Sequence, residues 1–122
     1  YHPISDILAI TDVLVLPSEY EGMPLILLEA QAMGKPVVVT DVGNNKEILQ
    51  ITSGGILTEI GDIGGLMTGV QKMLSHPPES SQIRDAVIRN FSIQVVAPLY
   101  LGALLGLDSI DEFVKTEQVG IC

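Results

Sequence analysis

The stretch "VLVLPSEYEGMPLILLEAQAMGKPVVVTD", residues 13–41, decides the fold, because it contains two short apolar runs separated by a helical pattern. The first run begins at Val13 and is stopped by Pro17, and the second occupies Val37–Thr40. Short Val- and Leu-rich runs bounded by turn residues are typical of strands that are buried on both faces. Both runs are therefore predicted to be β-strands.

A helix is predicted between these two strands. Pro24 opens it and Gly34 ends it, and a Pro near the first turn with a Gly just past the last turn is the usual punctuation of a helix. Strand, helix and strand together have about the thirty residues of a βαβ unit. Such crossovers are right-handed and make the two strands parallel.

The rest of the chain repeats this alternation in a looser form. A short helix is predicted from about Asn44, a third strand around Ile56, and a helix capped by Asp62 whose interior glycines lower its helix propensity. The fold class is therefore α/β, a partial doubly wound (Rossmann-like) parallel sheet. Helices are predicted over residues 63–75, 79–90 and 92–105, and Pro98 interrupts the last of them. The domain is predicted to cover residues 1–106. Residues 107–122 form a tail without assigned structure.

Composition limits the function classes. The chain has 122 residues, 47% of them hydrophobic, which allows one domain or part of one with a real core. Fifteen acidic against six basic residues give a net charge of −9 without any basic cluster, so no nucleic-acid partner is expected. The single cysteine, Cys122, excludes an internal disulfide framework and a multi-cysteine zinc site.

The two ends of the chain bear on targeting and on membrane association. The chain begins at Tyr1 without an initiator Met, which indicates a processed or excised N-terminus. The apolar run from Val95 to Leu107 contains Pro98 and is shorter than the roughly twenty residues of a spanning helix. We interpret it as a packed helix, with contact to a membrane surface as the alternative. The expected location is cytoplasmic, with membrane association of a full-length parent left open.

Two carboxylates, Glu21 and Glu29, follow the first predicted strand. Ligands of doubly wound sheets bind beyond the carboxyl ends of the strands, so both acids lie near the expected ligand position. Ser18 and Glu21 also have the spacing of a capping box, which would begin the helix before Pro24. Because Pro24 would then disrupt the helix interior, at a cost of about 3 kcal/mol, a loop position for Glu21 is favoured.

Glu29 has two interpretations. In a helix that begins at Pro24, it shares a face with Leu25, Leu28 and Ala32, and it either points to solvent or approaches a polar ligand held at the helix N-terminus. Free backbone N–H groups in the first turn would attract phosphate or sugar oxygens to the same place.

The segment "PSEYEGMPLILLEAQAMGKPVVVTDVGNNKEI" resembles the signature of retaining glycosyltransferases of the family 4 type, which have the GT-B fold. Glu21 and Glu29 are similar to the E-x7-E motif of that family, and the resemblance covers roughly the first hundred residues. It implies that Glu21 is the catalytic residue at the donor sugar and that Glu29 binds the ribose of the nucleotide. It further implies that the backbone amides of Gly22, Met23 and Leu25 bind sugar and phosphate oxygens, with neither metal nor cofactor.

Some features depart from the family pattern. The Gly-Gly pair that is usual in the family is replaced by Gly43-Asn44. Glu47, which follows it, is interpreted as a structural residue. Asp41 either caps a helix or lines the site. No D-x-D motif is present. In the family, an Arg and a Lys upstream stabilise the departing diphosphate, and a separate N-terminal domain holds the acceptor. The sequence shows neither, and no base beside the Glu21 loop offsets the acidic charge.

The resulting hypothesis is the C-terminal half of a GT-B donor-binding domain. The parent enzyme would transfer a hexose-type residue from a nucleotide-sugar donor to a sugar, lipid or polysaccharide acceptor, with retention, and the 122-residue segment alone would be inactive. The alternatives are a non-catalytic nucleotide-sugar-binding or assembly module, a GT-B-like epimerase, and a plain α/β interaction domain. Half a sheet also leaves apolar surface exposed, so self-association is expected.

Overall fold

The computed structural model describes residues 3–104, in which helices and parallel strands alternate. Two compact units divide the chain between Ile88 and Arg89, and the sheet belongs wholly to the first. The predicted boundary at residue 106 and the tail lie outside the described residues. In chain order the elements are α1 (Ile4–Ala9), β1 (Leu14–Leu16), α2 (Leu25–Ala32), β2 (Val37–Thr40), α3 (Asn45–Thr52), β3 (Gly55–Thr58), α4 (Ile63–Ser75), α5 (Ser80–Phe91) and α6 (Ile93–Leu104).

The three strands form one parallel sheet in the order β1-β2-β3. Val15 of β1 lies opposite Val38 of β2, which in turn lies opposite Ile56 of β3. Because all three strands run the same way, the loops that follow them emerge at one edge of the sheet. The predicted α/β class with parallel strands is confirmed.

The core is centred on β2, whose three valines are fully buried. Helix α4 packs on the face that carries Val38 and Ile56, since a Cβ built on Gly69 would lie 2.8 Å from Val38 and 3.5 Å from Ile56. The glycine that weakened the helix prediction therefore permits close approach of α4 to the sheet.

The same face of β1 is less covered, so the prediction that this strand is buried on both faces is wrong. Val15 is 40% exposed, and with Leu66, Met67 and Val70 of α4 it lines an apolar groove of about 360 Å³. Apolar surface next to an edge strand is the feature from which self-association was predicted. Self-association itself stays a prediction.

Helix α2 ends in a Schellman motif built on Gly34. The Lys35 N–H donates to the carbonyl of Ala30 at 2.9 Å, and the Gly34 N–H donates to that of Gln31 at 2.9 Å. Gly34 has φ of +72°, a conformation that glycine adopts without strain. The predicted helix stop is confirmed at this residue.

Replacing Gly34 with Ala is expected to destabilise the fold by more than about 1 kcal/mol. The new Cβ would be strained by the positive φ and would lie 2.8 Å from the carbonyl oxygen of Ser80. Gly64→Ala is the matched control, because its Cβ would meet only Asp62 Oδ1 at an ordinary 3.6 Å within helix α4. Urea unfolding should show a lower midpoint for Gly34→Ala and an equal or higher one for Gly64→Ala. Equal midpoints for the two variants would contradict this account.

The ends of the other helices agree with the sequence predictions only in part. Asp62 caps α4, because its carboxylate accepts a hydrogen bond from the Gly65 N–H at 2.8 Å. Helix α1 was not predicted. Helix α6 begins at Ile93, one residue after the expected start, and it continues through Pro98.

One stretch of the described residues has the length and composition of a membrane-spanning helix. Ser80–Leu104 is long and apolar enough to cross a membrane by these two properties alone, which by themselves are weak evidence for a span. A bend at Ser92 divides it into α5 and α6, each of 12 residues, whereas a spanning helix needs about twenty.

Candidate functional site

The candidate site lies at the carboxyl edge of the sheet, where the loops after β1 and β2 meet. Residues 17–24 connect β1 to α2, and residues 41–44 connect β2 to α3. The Asn44 N–H donates to the carbonyl of Gly22 at 3.3 Å, which joins the two loops directly. Glu21 belongs to the first of these loops and therefore lies at this edge, as predicted.

Gly43 allows the two loops to approach closely. Its φ is +51°, and a Cβ at this position would overlap the backbone carbonyl oxygens of Glu21 and Gly22. The backbone of the second loop therefore lies directly against the Glu21–Gly22 peptide. A single Gly, in a position where the resembled family has two, suffices for this contact.

Glu21 is half-buried and is held by a neighbour in its own loop. The Ser18 hydroxyl donates to Glu21 Oε1 at 2.7 Å. In a capping box that hydroxyl would instead accept from a backbone N–H at the start of the helix. Helix α2 begins at Leu25 with Pro24 at its N-cap and without a side-chain cap, so the capping-box interpretation is wrong and the loop position is confirmed.

Three backbone N–H groups beside Glu21 are available to a ligand. Those of Gly22, Met23 and Leu25 have no acceptor within the part of the chain that the structure describes. Gly22 is exposed, and the side chains of Met23 and Leu25 are 51% and 67% exposed. The start of α2 thus presents unpaired donors to solvent, with the positive end of the helix dipole behind them.

Glu29 lies on the exposed face of α2. It shares this face with Leu25 and Ala32, both exposed, whereas Leu27 and Ala30 are fully buried. No hydrogen bond or ion pair between Glu29 and the Glu21 loop occurs among residues 3–104. Exposure suits both a solvated carboxylate and a ligand-binding one, and the structure therefore leaves both interpretations of Glu29 open.

Two buried residues that the sequence analysis did not connect with Glu21 support the site. Thr40, the last residue of β2, donates its hydroxyl to the carbonyl of Ser18 at 2.5 Å. Asn45 donates its side-chain N–H to the carbonyl of Thr40 at 2.9 Å. The sequence contains only a weak indication of these two roles. Thr40 is a polar residue that ends a buried run of valines, and Asn45 lies in the first turn of the next helix.

The other predicted positions are exposed. Asp41 follows β2 with its N–H bonded to the carbonyl of Thr58, and Glu47 lies in the first turn of α3, where an acidic side chain suits the helix dipole. Lys46 lies in that same turn, two residues after the Asn44 that bonds to Gly22. The expectation that no base lies beside the Glu21 loop stays a prediction, because no hydrogen bond or ion pair joins Lys46 to that loop among residues 3–104.

The described part of the chain contains no cluster of three or more His, Cys, Asp or Glu side chains able to hold a metal. Independence from metals and cofactors stays a prediction. A cavity of about 300 Å³ lies elsewhere, at the amino edge of the sheet, with Thr11, Asp12 and Lys35 in its wall. Those residues precede β1 and β2, so this cavity is at the opposite edge from Glu21.

Comparison with known proteins shows the family. The profile described as "Glycosyl transferases group 1" matches residues 1–90. The chain belongs to this family. The family match and the parallel α/β sheet together support the GT-B type that the sequence resemblance implied.

Individual relatives agree with the family match. The chain is 33% identical over 93 residues to the UDP-Gal:alpha-D-GlcNAc-diphosphoundecaprenol alpha-1,3-galactosyltransferase of Escherichia coli, covering 74% of this chain and 24% of that protein. It is 32% identical over 101 residues to the N-acetyl-alpha-D-glucosaminyl L-malate synthase of Bacillus anthracis, covering 80% and 26%.

A solved structure shares the fold. The sucrose-phosphate synthase of Thermosynechococcus elongatus superimposes with a TM-score of 0.71 at 28% identity, covering 81% of this chain and 26% of that one. The chain thus spans about a quarter of the length of the relatives it matches.

Proposed function

We propose that this chain is the donor-binding segment of a retaining glycosyltransferase of the family 4 type. The observation that carries the proposal is the half-buried carboxylate of Glu21 beside three unpaired N–H groups at the carboxyl edge of a parallel sheet. A carboxylate accepts hydrogen bonds from sugar hydroxyls, and free amides at a helix N-terminus bind phosphate oxygens. A nucleotide sugar contains both groups next to each other.

The proposed roles follow from this chemistry. Glu21 accepts hydrogen bonds from the donor sugar and stabilises the positive charge that develops at the anomeric carbon. The amides of Gly22, Met23 and Leu25 bind sugar and phosphate oxygens, and Glu29 accepts hydrogen bonds from the ribose hydroxyls. The bond from the anomeric carbon to the phosphate oxygen breaks and its electron pair stays on that oxygen. A bond to the acceptor oxygen forms on the same face, and the acceptor hydroxyl passes its proton to the departing phosphate oxygen.

The substrates of the whole protein follow as part of the same proposal. The E. coli relative is named for a UDP-Gal donor, which supports a nucleotide-sugar donor here. Sugar, lipid and polysaccharide acceptors fit the proposal, and the acceptor would bind to a domain outside this segment. A cytoplasmic, hexosyl-transferring parent enzyme is part of the proposal as well.

A non-catalytic nucleotide-sugar-binding module is the second candidate. The net charge of −9 argues against stabilisation of a leaving diphosphate, and so against catalysis by this segment, unless nearby cations offset the charge. Lys46 is one such cation at the correct edge. An Arg and a Lys in the protein sequence upstream of Tyr1, as in the resembled family, would favour the enzyme, and their absence would favour the module.

The 122-residue chain by itself is expected to bind nucleotide sugars and to transfer none of them. Stabilisation of the leaving diphosphate is usually the largest part of such catalysis, and a segment that spans a quarter of its relatives' length is expected to lack it. Calorimetric titration with a panel of UDP-, GDP- and ADP-sugars tests the binding, and product analysis with generic acceptors tests the transfer. Saturable turnover by the pure chain would refute the inactive-segment proposal, and failure to bind any member of the panel would refute donor binding.

A further inference from the structure

The hydroxyl of Thr40 lies where β2 ends, and it bonds to the neighbouring loop. Thr40 is 1% exposed, and its Oγ1 donates to the carbonyl of Ser18 at 2.5 Å, while the carbonyl of Leu16 is farther away at 3.4 Å. The register pairs β1 with β2 only as far as Leu16 and Val39, so Ser18 lies beyond the ladder. The Thr40 hydroxyl therefore donates to the Ser18 carbonyl, to which the backbone ladder between β1 and β2 supplies no hydrogen bond.

Ser18 passes this constraint on to Glu21. Its carbonyl is fixed by Thr40, and its own hydroxyl donates to Glu21 Oε1 at 2.7 Å. The two hydrogen bonds use different atoms of Ser18, so both form at once. The position of the Glu21 carboxylate is thereby tied to the end of a fully buried strand.

Thr40 is itself held firmly. Its carbonyl accepts from the Asn45 side chain at 2.9 Å and from the Val42 N–H at 2.9 Å, and Asn45 is fully buried. The bond from Asn45 to Thr40 is buried and the bonds of Ser18 are part-buried, and linked hydrogen bonds of this kind restrict motion more than isolated surface ones. The chain of contacts from Asn45 through Thr40 and Ser18 thus ends at the carboxylate of Glu21.

From these contacts we infer that Thr40 is a positioning residue, which sets the Glu21 carboxylate through Ser18 for recognition of the sugar part of the donor. The ligand in this inference, the sugar of the donor, is taken from the proposed function. The hydrogen-bond relay from Thr40 through Ser18 to Glu21 does not depend on that function. Thr40 does not touch the donor. Its hydroxyl acts only on the place and orientation of Glu21.

Three variants isolate the hydroxyl. Thr40→Val keeps the shape and removes the donor, and Thr40→Ser restores the donor. Thr58→Val is the matched control, because Thr58 lies opposite Thr40 on β3 and its hydroxyl donates at 3.3 Å to the Val39 carbonyl, away from Ser18. Thr40→Ala replaces Thr40→Val if the latter does not fold.

The first measurement uses the 122-residue chain without any ligand. Carbon-13 NMR of the Glu21 side-chain carboxylate should show a shifted or broadened signal in Thr40→Val, and a signal close to wild type in Thr40→Ser and Thr58→Val. An unchanged Glu21 signal in a folded Thr40→Val chain would overturn the relay, whatever the protein binds. Equal shifts in Thr40→Val and Thr58→Val would overturn it too, because they would indicate a general loosening of the sheet.

The second measurement compares affinities for a nucleotide sugar and for the corresponding nucleoside diphosphate, using the member of the UDP-, GDP- and ADP-sugar panel that binds wild type most tightly. Thr40→Val should lose about tenfold in affinity for the nucleotide sugar and none for the diphosphate. Equal losses for both ligands would overturn the assignment to the sugar. If the wild-type chain binds no member of the panel while the Glu21 signal still moves in Thr40→Val, the relay stands and the proposed function fails.

Discussion

Replacing Glu21 with Gln is expected to reduce sugar transfer by the full-length protein roughly hundredfold or more, while affinity for the nucleoside diphosphate is kept. The amide is nearly isosteric with the carboxylate, and its oxygen still accepts from the Ser18 hydroxyl, so the loop keeps its geometry. What is lost is the negative charge that the proposed role places close to the anomeric carbon. That charge matters most when positive charge develops in the transition state, so the effect should appear in kcat rather than in nucleotide binding.

Glu19→Gln is the matched control for this experiment. Glu19 lies two residues before Glu21 in the same loop, is exposed, and undergoes the same chemical change. Steady-state kinetics of both variants should show the loss only in Glu21→Gln. A Glu21→Gln enzyme with wild-type kcat would remove the catalytic assignment. Equal losses of kcat in both variants would indicate that the rate depends on the net charge of the loop and not on Glu21 in particular.

The fold could be predicted from sequence wherever one local signal decided the structure. The valines of β2 are apolar without alternation, and a strand with that pattern must be buried on both faces, as Val38 is. Gly34 ended α2 because its positive φ is readily reached only by glycine. Helix α1 has six residues and no side-chain cap, so it has neither the length nor the punctuation from which helices are recognised.

The site could be predicted only in part. The spacing of Ser18 and Glu21 suggested a capping box, in which each side chain bonds to a backbone N–H, whereas in the folded loop the two side chains bond to each other. The bond from Thr40 to Ser18 joins residues 22 positions apart, and only the parallel pairing of β1 and β2 brings them together. The bond from Asn44 to Gly22 has the same origin: strand order, which sequence distance does not reveal, decides which loops share an edge.

The position of Glu29 also shows what a helical pattern leaves open. Helix α2 is apolar almost throughout, yet only Leu27, Ala30 and Gln31 are buried, and Leu25 remains 67% exposed. Single exposed apolar residues are common on protein surfaces, so this face does not decide between the two interpretations of Glu29. Ribose binding by Glu29 stays a proposal that substitution tests.

Replacing Glu29 with Gln is expected to lower affinity for the nucleoside diphosphate roughly tenfold or more, with melting temperature held or raised. Charge-assisted hydrogen bonds to ribose hydroxyls are weakened by the loss of charge, at about 1.5–3 kcal/mol for each bond, whereas an exposed side chain without partners contributes little to folding. Glu47→Gln is the matched control, an exposed helical Glu in the first turn of α3 with no ligand role proposed.

Calorimetric titration of both Glu→Gln variants in the full-length protein, beside their melting curves, separates the two interpretations of Glu29. A selective loss of nucleotide affinity in Glu29→Gln supports ribose binding, because a structural residue would lower the melting temperature first. Unchanged affinity would remove the ribose assignment and leave Glu29 as a solvated carboxylate. The outcome for Glu29 is independent of that for Glu21, since one substitution acts on the nucleotide and the other on the sugar. Loss of nucleotide affinity in Glu29→Gln and loss of kcat in Glu21→Gln would together locate both ends of the donor along α2 and its preceding loop.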